Sequence, residues 1–132
     1  MNLNQVTVPS IDLSVSVPFY EKLGLRLIVS TSDYYARFEC PDGDSTFSIH
    51  KTDKLPTGQG VVVYFEEDKL DWKVEQLQKL GIVFDLLPAD QPWLWREAHL
   101  TDPDGNLIIL FHAGENRKNP PWKLKKREDG YF

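Results

Sequence analysis

Three side chains in the segment 95–100 have the chemistry to hold a charged ligand or to move a proton. Trp95, Glu97 and His99 occupy alternate positions, so in an extended strand they share one face. The opposite face then carries the intervening residues Arg96, Ala98 and Leu100. Because two of those are apolar and suit packing against a helix, we expect the first set to face a binding site. There a carboxylate could pair with a cation and an imidazole could transfer a proton.

The same residues have simpler interpretations. Glu97 could form a salt bridge with Arg96, Arg37 or a loop lysine, which contributes little if it is exposed. His99 and His50 are two candidates for proton transfer, but either could be a surface residue or one satisfied by a hydrogen bond. Cys40 has no histidine or cysteine at ligand or triad spacing, so we interpret it as a structural thiol.

Aromatic side chains near these positions could supply flat apolar walls for a ligand. Their alternative roles are filling the core or a dimer interface, where tryptophan is enriched. The residues that we expect to line a pocket are Tyr35, Phe47, Trp93, Trp95 and Phe111.

The elements that must position these residues follow one order twice along the chain. Alternating or continuous apolar segments predict strands at 3–8, 25–30, 34–39, 46–50, 60–65, 82–87, 95–100 and 107–111. Helical spacing of Val15, Phe19, Tyr20 and Leu23, and of Leu70, Val74, Leu77 and Leu80, predicts one helix in each half.

Local signals fix where these elements begin and end. Asp12 is a candidate N-cap, and Pro18 favours a start of the first helix near Ser16. Gly24 and Gly81 suit the C-terminal caps. Each half therefore reads β-α-β-β-β, which predicts a four-stranded sheet with a helix on one face; a generic α+β sandwich without a pocket is the alternative.

Composition limits the classes of function. The chain has 132 residues and a formal net charge of −5, and its residues 116–132 carry six basic against two acidic side chains. The acidic remainder disfavours nucleic-acid binding. No apolar segment or leader pattern predicts a membrane span or export, and a single cysteine fits a reducing cytoplasm. In the tail, Trp122, Leu124, Tyr131 and Phe132 favour docking over a purely solvated extension.

Three motifs in order carry a resemblance to a known family. They are Asp12-Leu13 to Leu23-Gly24, the second strand–helix unit ending at Leu80-Gly81, and the turn Asp102-Pro103-Asp104-Gly105-Asn106 before an apolar strand. The chain resembles the vicinal oxygen chelate superfamily of glyoxalases, extradiol dioxygenases and bleomycin-resistance proteins. The resemblance implies an α+β fold in which two tandem βαβββ modules form a cup-shaped mixed sheet with helices on the outside.

The resemblance also divides the chain. It implies a single domain over 1–113 with modules at about 1–53 and 60–113, and it leaves 114–132 as a charged C-terminal extension. In the metal-dependent branches, four inward side chains bind one divalent ion. Those positions here are Gln5, Ser48, Val62 and Ile109, of which the last two have no donor atom. We therefore expect no metal and no cofactor.

The pattern is closest to the metal-free, bleomycin-resistance-like branch, which the segment Gln91-Pro92-Trp93 also resembles. That branch implies a homodimer whose cups sequester a bulky, flat, often cationic compound. The residues of this chain that we expect to contact the ligand are Gln5, Tyr35, Phe47, Ser48, His50, Trp93, Trp95, Glu97, His99, Ile109 and Phe111. Two other functions stay open. One is a lyase, isomerase or dioxygenase using His50, His99 or Glu97, and the other is a module that recognises a protein.

Overall fold

The computed structural model describes residues 1–125. Its strands and helices are β1 (Gln5–Ser10), α1 (Leu13–Lys22), β2 (Arg26–Thr31), β3 (Tyr35–Glu39), β4 (Thr46–Lys51), β5 (Val63–Glu66), α2 (Leu70–Lys79), β6 (Leu86–Asp90), β7 (Arg96–Thr101) and β8 (Leu107–His112). A short 3-10 helix follows at Gly114–Arg117. The order confirms the repeated β-α-β-β-β plan.

Each repeat builds a four-stranded mixed sheet. Sheet A has the order β1-β4-β3-β2 and sheet B the order β5-β8-β7-β6. The first strand of each repeat pairs in parallel with the last, and the other neighbours are antiparallel. The parallel pairing requires a crossover, which α1 and α2 supply. The predicted fold class, two tandem βαβββ modules, is confirmed.

The first helix begins earlier than predicted. The Asp12 side chain accepts the Ser14 backbone N–H at 3.0 Å, which fixes the start at Leu13 and leaves Pro18 inside the helix. Proline removes the bond to the Ser14 carbonyl, but Ser14 is exposed, so water can replace that donor. A strong N-cap therefore overrides the proline.

The two helix C-termini follow the predicted pattern. Gly24 and Gly81 have φ angles of 103° and 91°, in the left-handed region that favours glycine after a helix. The helices bury different stripes: Leu13, Ser16 and Tyr20 in α1, and Leu70, Val74 and Leu77 in α2.

One core joins the helix-covered faces of both sheets. Tyr20, Phe38 and Phe47 are buried in the first module, and Ile108 and Leu110 in the second, within one continuous apolar cluster. The Phe47 ring packs against Phe65 of sheet B with centroids 5.8 Å apart. The face of each sheet turned away from its helix lies outside this cluster, and we call these the open faces.

The turn Asp102–Asn106 links the two modules. Gly105 has the positive φ that the turn needs, at 86°. The Asp102 carboxylate accepts the backbone N–H groups of Asp104 and Asn106 and the Tyr20 hydroxyl, the last at 2.5 Å. Asp104 accepts the backbone N–H of Ile11 at 2.9 Å. The motif that suggested the family thus holds α1 against the closing hairpin.

Two strands begin three or more residues later than predicted, and the other strand starts lie within two residues of the prediction. Strand β5 begins at Val63, not at 60, and β6 begins at Leu86, not at 82. Ile82 closes the end of α2 and is buried, so its apolar character comes from core packing rather than from a strand. No helix within the described residues 1–125 is long and apolar enough to cross a membrane.

Candidate ligand-binding site

The open face of sheet B carries the predicted residues of β7. Glu97 and His99 lie on this face and pair across the strands with Phe111 and Ile109 of β8. Their neighbours Ala98 and Leu100 are fully buried under α2 in the core. The predicted alternation is therefore confirmed.

Glu97 is a buried carboxylate with two side-chain donors. It is only 2% exposed, and its Oε2 accepts the indole N–H of Trp93 at 2.7 Å. Its Oε1 lies 2.8 Å from Nε2 of His99, so this nitrogen carries the proton that the carboxylate accepts. The salt bridge to Arg96 does not form, because that guanidinium points to the helix side and pairs with Asp71 and Asp90.

Three aromatic rings form a wall beside Glu97. Trp95 stacks on Phe111 with centroids 4.6 Å apart and planes inclined by 17°. Tyr64 of β5 meets both rings edge-on, at 5.9 Å and 5.7 Å. Tyr64 was not predicted as a site residue, although the apolar Val63 and Phe65 on either side of it already place its side chain on the opposite face of the strand.

This wall borders a cavity of about 830 Å³ between the two modules, whose lining includes Tyr64, Trp95 and Phe111 but not Trp93, Glu97 or His99. Such a volume is typical of sites for drug-sized molecules. The opposite side of the cavity comes from the first module and includes Leu23, Leu25, Cys40 and Pro41. Burial, and secondarily the charge of Asp42, raises the pKa of the Cys40 thiol, so it stays protonated near neutral pH. This agrees with a structural thiol.

The rim of the cavity is charged. Glu66 accepts the backbone N–H groups of Ala113 and Gly114 and lies 3.7 Å from the Arg117 guanidinium. Glu67, Asp42 and Lys73 complete the charged lining. Trp95 donates its indole N–H to the Asn116 carbonyl at 3.4 Å, so the segment after β8 also borders the aromatic wall.

The predicted site residues of the first module lie on the open face of sheet A. Ser48 is buried there and shares a hydrogen bond of 2.5 Å with Thr7. His50 lies at the end of the same face, exposed, with its ring edge-on to Tyr34 at 4.8 Å. Within residues 1–125, no hydrogen bond or aromatic contact joins this face to Glu97 or to the aromatic wall.

Phe47 is a correction. We expected it to line the pocket, but it is 1% exposed and packs on Tyr20 in the core at 4.6 Å. Successive strand residues point to opposite faces, so Phe47 and Ser48 cannot both face the open side.

The sequence matches one family model over residues 2–110, that of the glyoxalase/bleomycin resistance protein/dioxygenase superfamily. The chain belongs to this superfamily. It is similar to a glyoxalase/bleomycin resistance protein/dioxygenase from Nocardioides, with 27% identity and a TM-score of 0.75 over 95% of this chain and 90% of that one. No curated protein matches the sequence.

Two other solved structures share the fold at lower identity. A bleomycin-binding protein complexed with bleomycin has 22% identity and a TM-score of 0.69, covering 85% of this chain and 98% of that one. A lactoylglutathione lyase from Agrobacterium tumefaciens has 18% identity and a TM-score of 0.71, covering 84% and 92%.

The four positions at which the resemblance placed metal ligands, Gln5, Ser48, Val62 and Ile109, do not fit a divalent cation. Val62 and Ile109 pack together in an apolar cluster with Trp95 and Phe111. Gln5 lies on the open face of sheet A, where its side-chain oxygen accepts the Thr46 hydroxyl at 2.8 Å. Among the residues that the structure describes, no group of three or more His, Cys, Asp or Glu is placed to hold a metal ion.

Proposed function

We propose that this protein binds and sequesters a small, flat, hydrophobic or aromatic compound that carries a positive charge, without a metal ion and without breaking bonds. The observation that carries the proposal is the buried Glu97 carboxylate beside the stacked rings of Trp95 and Phe111. A buried carboxylate attracts a cation strongly because little water screens it. The adjoining rings offer π faces to the same ligand.

The hydrogen bonds of Glu97 indicate how a ligand would bind. Trp93 is 46% exposed and covers one carboxylate oxygen through its indole N–H. A ligand ammonium or amidinium N–H can replace that donor and adds a full charge, which makes the hydrogen bond stronger. His99 keeps the second oxygen occupied and fixes the orientation of the carboxylate.

The apolar wall supplies the rest of the affinity. A ligand that buries on the order of 200 Å² of apolar surface gains roughly 5 kcal/mol from removal of that surface from water. Part of this gain offsets the lost freedom of the ligand, so that with one charged contact of roughly 1.5–3 kcal/mol the expected affinity is weaker than micromolar. The bleomycin-binding relative, complexed with bleomycin, supports small-molecule binding on this fold.

The proposal includes a symmetric homodimer in the cytoplasm. A second copy would cover half-exposed side chains of the second module, which are Tyr64 on the edge strand β5 and Trp93 and Leu94 in the turn between β6 and β7. Light scattering at micromolar concentration should give the mass of two chains, and the mass of one chain would remove this part of the proposal.

A thermal-shift screen in EDTA tests ligand binding. The panel contains planar cationic aromatics, neutral aromatics of the same shape, and small dicarbonyl or thiol adducts. A ligand at a hundred times its Kd stabilises the fold by about 2.7 kcal/mol, a rise in Tm of roughly 10 °C. Tyr64→Ala should reduce that rise, whereas Trp72→Ala, an exposed tryptophan on α2, should leave it unchanged. If no member of the panel raises Tm, the sequestration proposal fails.

The His99–Glu97 pair favours one alternative function, a lyase or isomerase. A buried carboxylate that accepts Nε2–H orients the imidazole, and the other ring nitrogen is then free to take a proton. Incubating each stabilising compound with the protein and following its mass and isomers separates the two functions. Conversion that His99→Asn abolishes would establish catalysis, and recovery of unchanged compound would exclude it for that ligand.

A further inference from the structure

The open face of sheet A carries a cluster of hydrogen-bond donors that the proposed function does not use. The cluster consists of Thr7, Tyr35, Arg37 and Ser48, which come from three neighbouring strands. Register brings them together, because Ser48 of β4 pairs with Arg37 on one side and with Thr7 on the other. None of the four borders the cavity beside Trp95.

Arg37 is the charged member of the cluster, and it is only partly engaged. Its Nε donates to the Tyr35 hydroxyl at 2.8 Å, and its guanidinium carbon lies 5.4 Å from the centre of the Tyr35 ring. Within residues 1–125 its two Nη groups have no hydrogen-bond acceptor and no carboxylate within 4.0 Å. Glu39, two residues along the same face, is held instead by Arg26 at 2.6 Å.

This arrangement is unusual for an acidic protein with a net charge of −5, in which carboxylates outnumber the basic groups available to pair with them. The half-buried Arg37 side chain shares this face with its register partner Ser48 and with Thr7. The Ser48 hydroxyl is buried and hydrogen-bonded to the hydroxyl of the exposed Thr7. A guanidinium edge with adjacent hydroxyl donors matches the geometry of a carboxylate or phosphate.

The behaviour of Tyr35 supports a positive local field. Partial burial opposes ionisation, but the neighbouring Ser48 hydroxyl and the Arg37 guanidinium together lower the pKa of Tyr35 below its usual value. A cluster that stabilises a phenolate also stabilises an external oxyanion at the same place.

We propose that Arg37, with Tyr35, Ser48 and Thr7, forms an oxyanion-binding site on the open face of sheet A. The site takes a carboxylate or a phosphate group through the two free Nη groups. It lies on one module of one chain, so it depends neither on the cavity beside Trp95 nor on a cationic ligand.

An NMR titration of the full chain tests the site with two probes, benzoate and inorganic phosphate, and with chloride as the ionic-strength control. We expect saturable shifts of the Ser48 and Thr7 amides with a probe and not with chloride. If benzoate has the lower Kd, the site is assigned to a carboxylate ligand. If phosphate has the lower Kd, it is assigned to a phosphate.

Matched variants decide whether Arg37 is responsible. Arg37→Gln should reduce the affinity for the probe at least about tenfold. Arg37→Lys should reduce it less, since lysine keeps the charge but cannot donate two parallel hydrogen bonds. Lys22→Gln removes an equal charge from the exposed end of α1 and should leave the affinity unchanged. Equal shifts with chloride, or equal weakening by Lys22→Gln, would overturn the proposal, and so would unchanged affinity in Arg37→Gln. If a variant does not fold, the comparison of benzoate and phosphate with chloride on the wild-type protein still tests the site.

Discussion

At the scale of single residues, Glu97 is the side chain on which the proposed ligand binding depends. Strand alternation alone was enough to predict its face, because a period of two allows only two choices. Its partners could not be predicted, since the Trp93 indole reaches it from a turn that the sequence does not orient. Leu94 in that turn has a φ of 67°, a conformation rarely adopted by residues other than glycine.

Glu97→Gln should reduce the affinity for a planar cationic aromatic about tenfold or more, because a charge-assisted hydrogen bond contributes roughly twice a neutral one. The affinity for a neutral compound of the same shape should change little. Calorimetric titration of both compounds measures the difference. Glu75→Gln, an exposed acidic residue on α2, is the matched control. Equal losses for the two compounds would show that Glu97 acts through the fold and not through its charge.

Tyr20→Phe should destabilise the protein by about 1–3 kcal/mol. The variant keeps the ring but leaves the buried Asp102 carboxylate without one of its donors. Burial and the Asp102 charge raise the pKa of Tyr20, so the wild-type hydroxyl remains a donor at all ordinary pH values. Urea unfolding monitored by circular dichroism gives the free energy of unfolding. Tyr34→Phe, at an exposed tyrosine, should change it by less than about 0.5 kcal/mol; equal effects would contradict the importance of the Asp102 contact.

At the scale of elements, the sequence predicted all eight strands and both helices but not every boundary or face. Val15 fitted the apolar spacing of α1 yet is 52% exposed, because Asp12 sets the helix start and turns Leu13, Ser16 and Tyr20 inward. The serine in that stripe gave no apolar signal. It is buried because its hydroxyl bonds Asp104 of the other module at 2.9 Å, a contact that no local pattern reveals.

Arg96 joins β7 to α2, and this contact should make stability depend weakly on pH. The hydrogen bond from Arg96, and also its charge, lowers the pKa of Asp71 in the folded protein. A lowered pKa adds stability above the unfolded value of about 4, and that stability is lost as the pH falls through the folded value. Asp71 is exposed, so the contribution is only about 0.5 kcal/mol.

Asp71→Asn should therefore lower the free energy of unfolding by about 0.5 kcal/mol at pH 7, and the difference from wild type should shrink between pH 5 and pH 3. Urea titrations across this range measure it. Asp44→Asn, at an exposed turn residue, is the control and should show no such trend. A difference in the free energy of unfolding between Asp71→Asn and wild type that grows toward low pH would contradict the lowered pKa of Asp71.

At the scale of the whole molecule, the repeat was visible in the sequence but the contact between its halves was not. Each module predicts its own apolar face, yet nothing local says that the faces under α1 and α2 merge through Phe47 and Phe65. The cavity follows from that contact, since one side comes from each module. We predicted that the tail docks through its apolar side chains. Trp122 and Leu124 are exposed, and Tyr131 and Phe132 lie outside the described residues.

Membership in the superfamily implies a cup-shaped sheet, and the side chains on its open faces indicate which ligands it can bind. Val62 and Ile109 provide no donor atoms at two of the positions where the resemblance placed metal ligands, and they pack into the same apolar cluster as Trp95 and Phe111 of the aromatic wall. We therefore expect the second module to hold its ligand through ring faces and the Glu97 charge. The proposed binding therefore needs no metal ion.

Calorimetric titration of EDTA-dialysed protein tests whether ligand binding needs a metal ion. The titrant is the planar cationic aromatic that raises Tm most, first without added metal and then with Fe²⁺, Mn²⁺, Ni²⁺ or Zn²⁺ present. We predict saturable binding of one ligand per chain in the absence of metal, with a Kd that no added ion changes. Binding that appears only after a divalent metal is added would contradict the proposed metal-free binding.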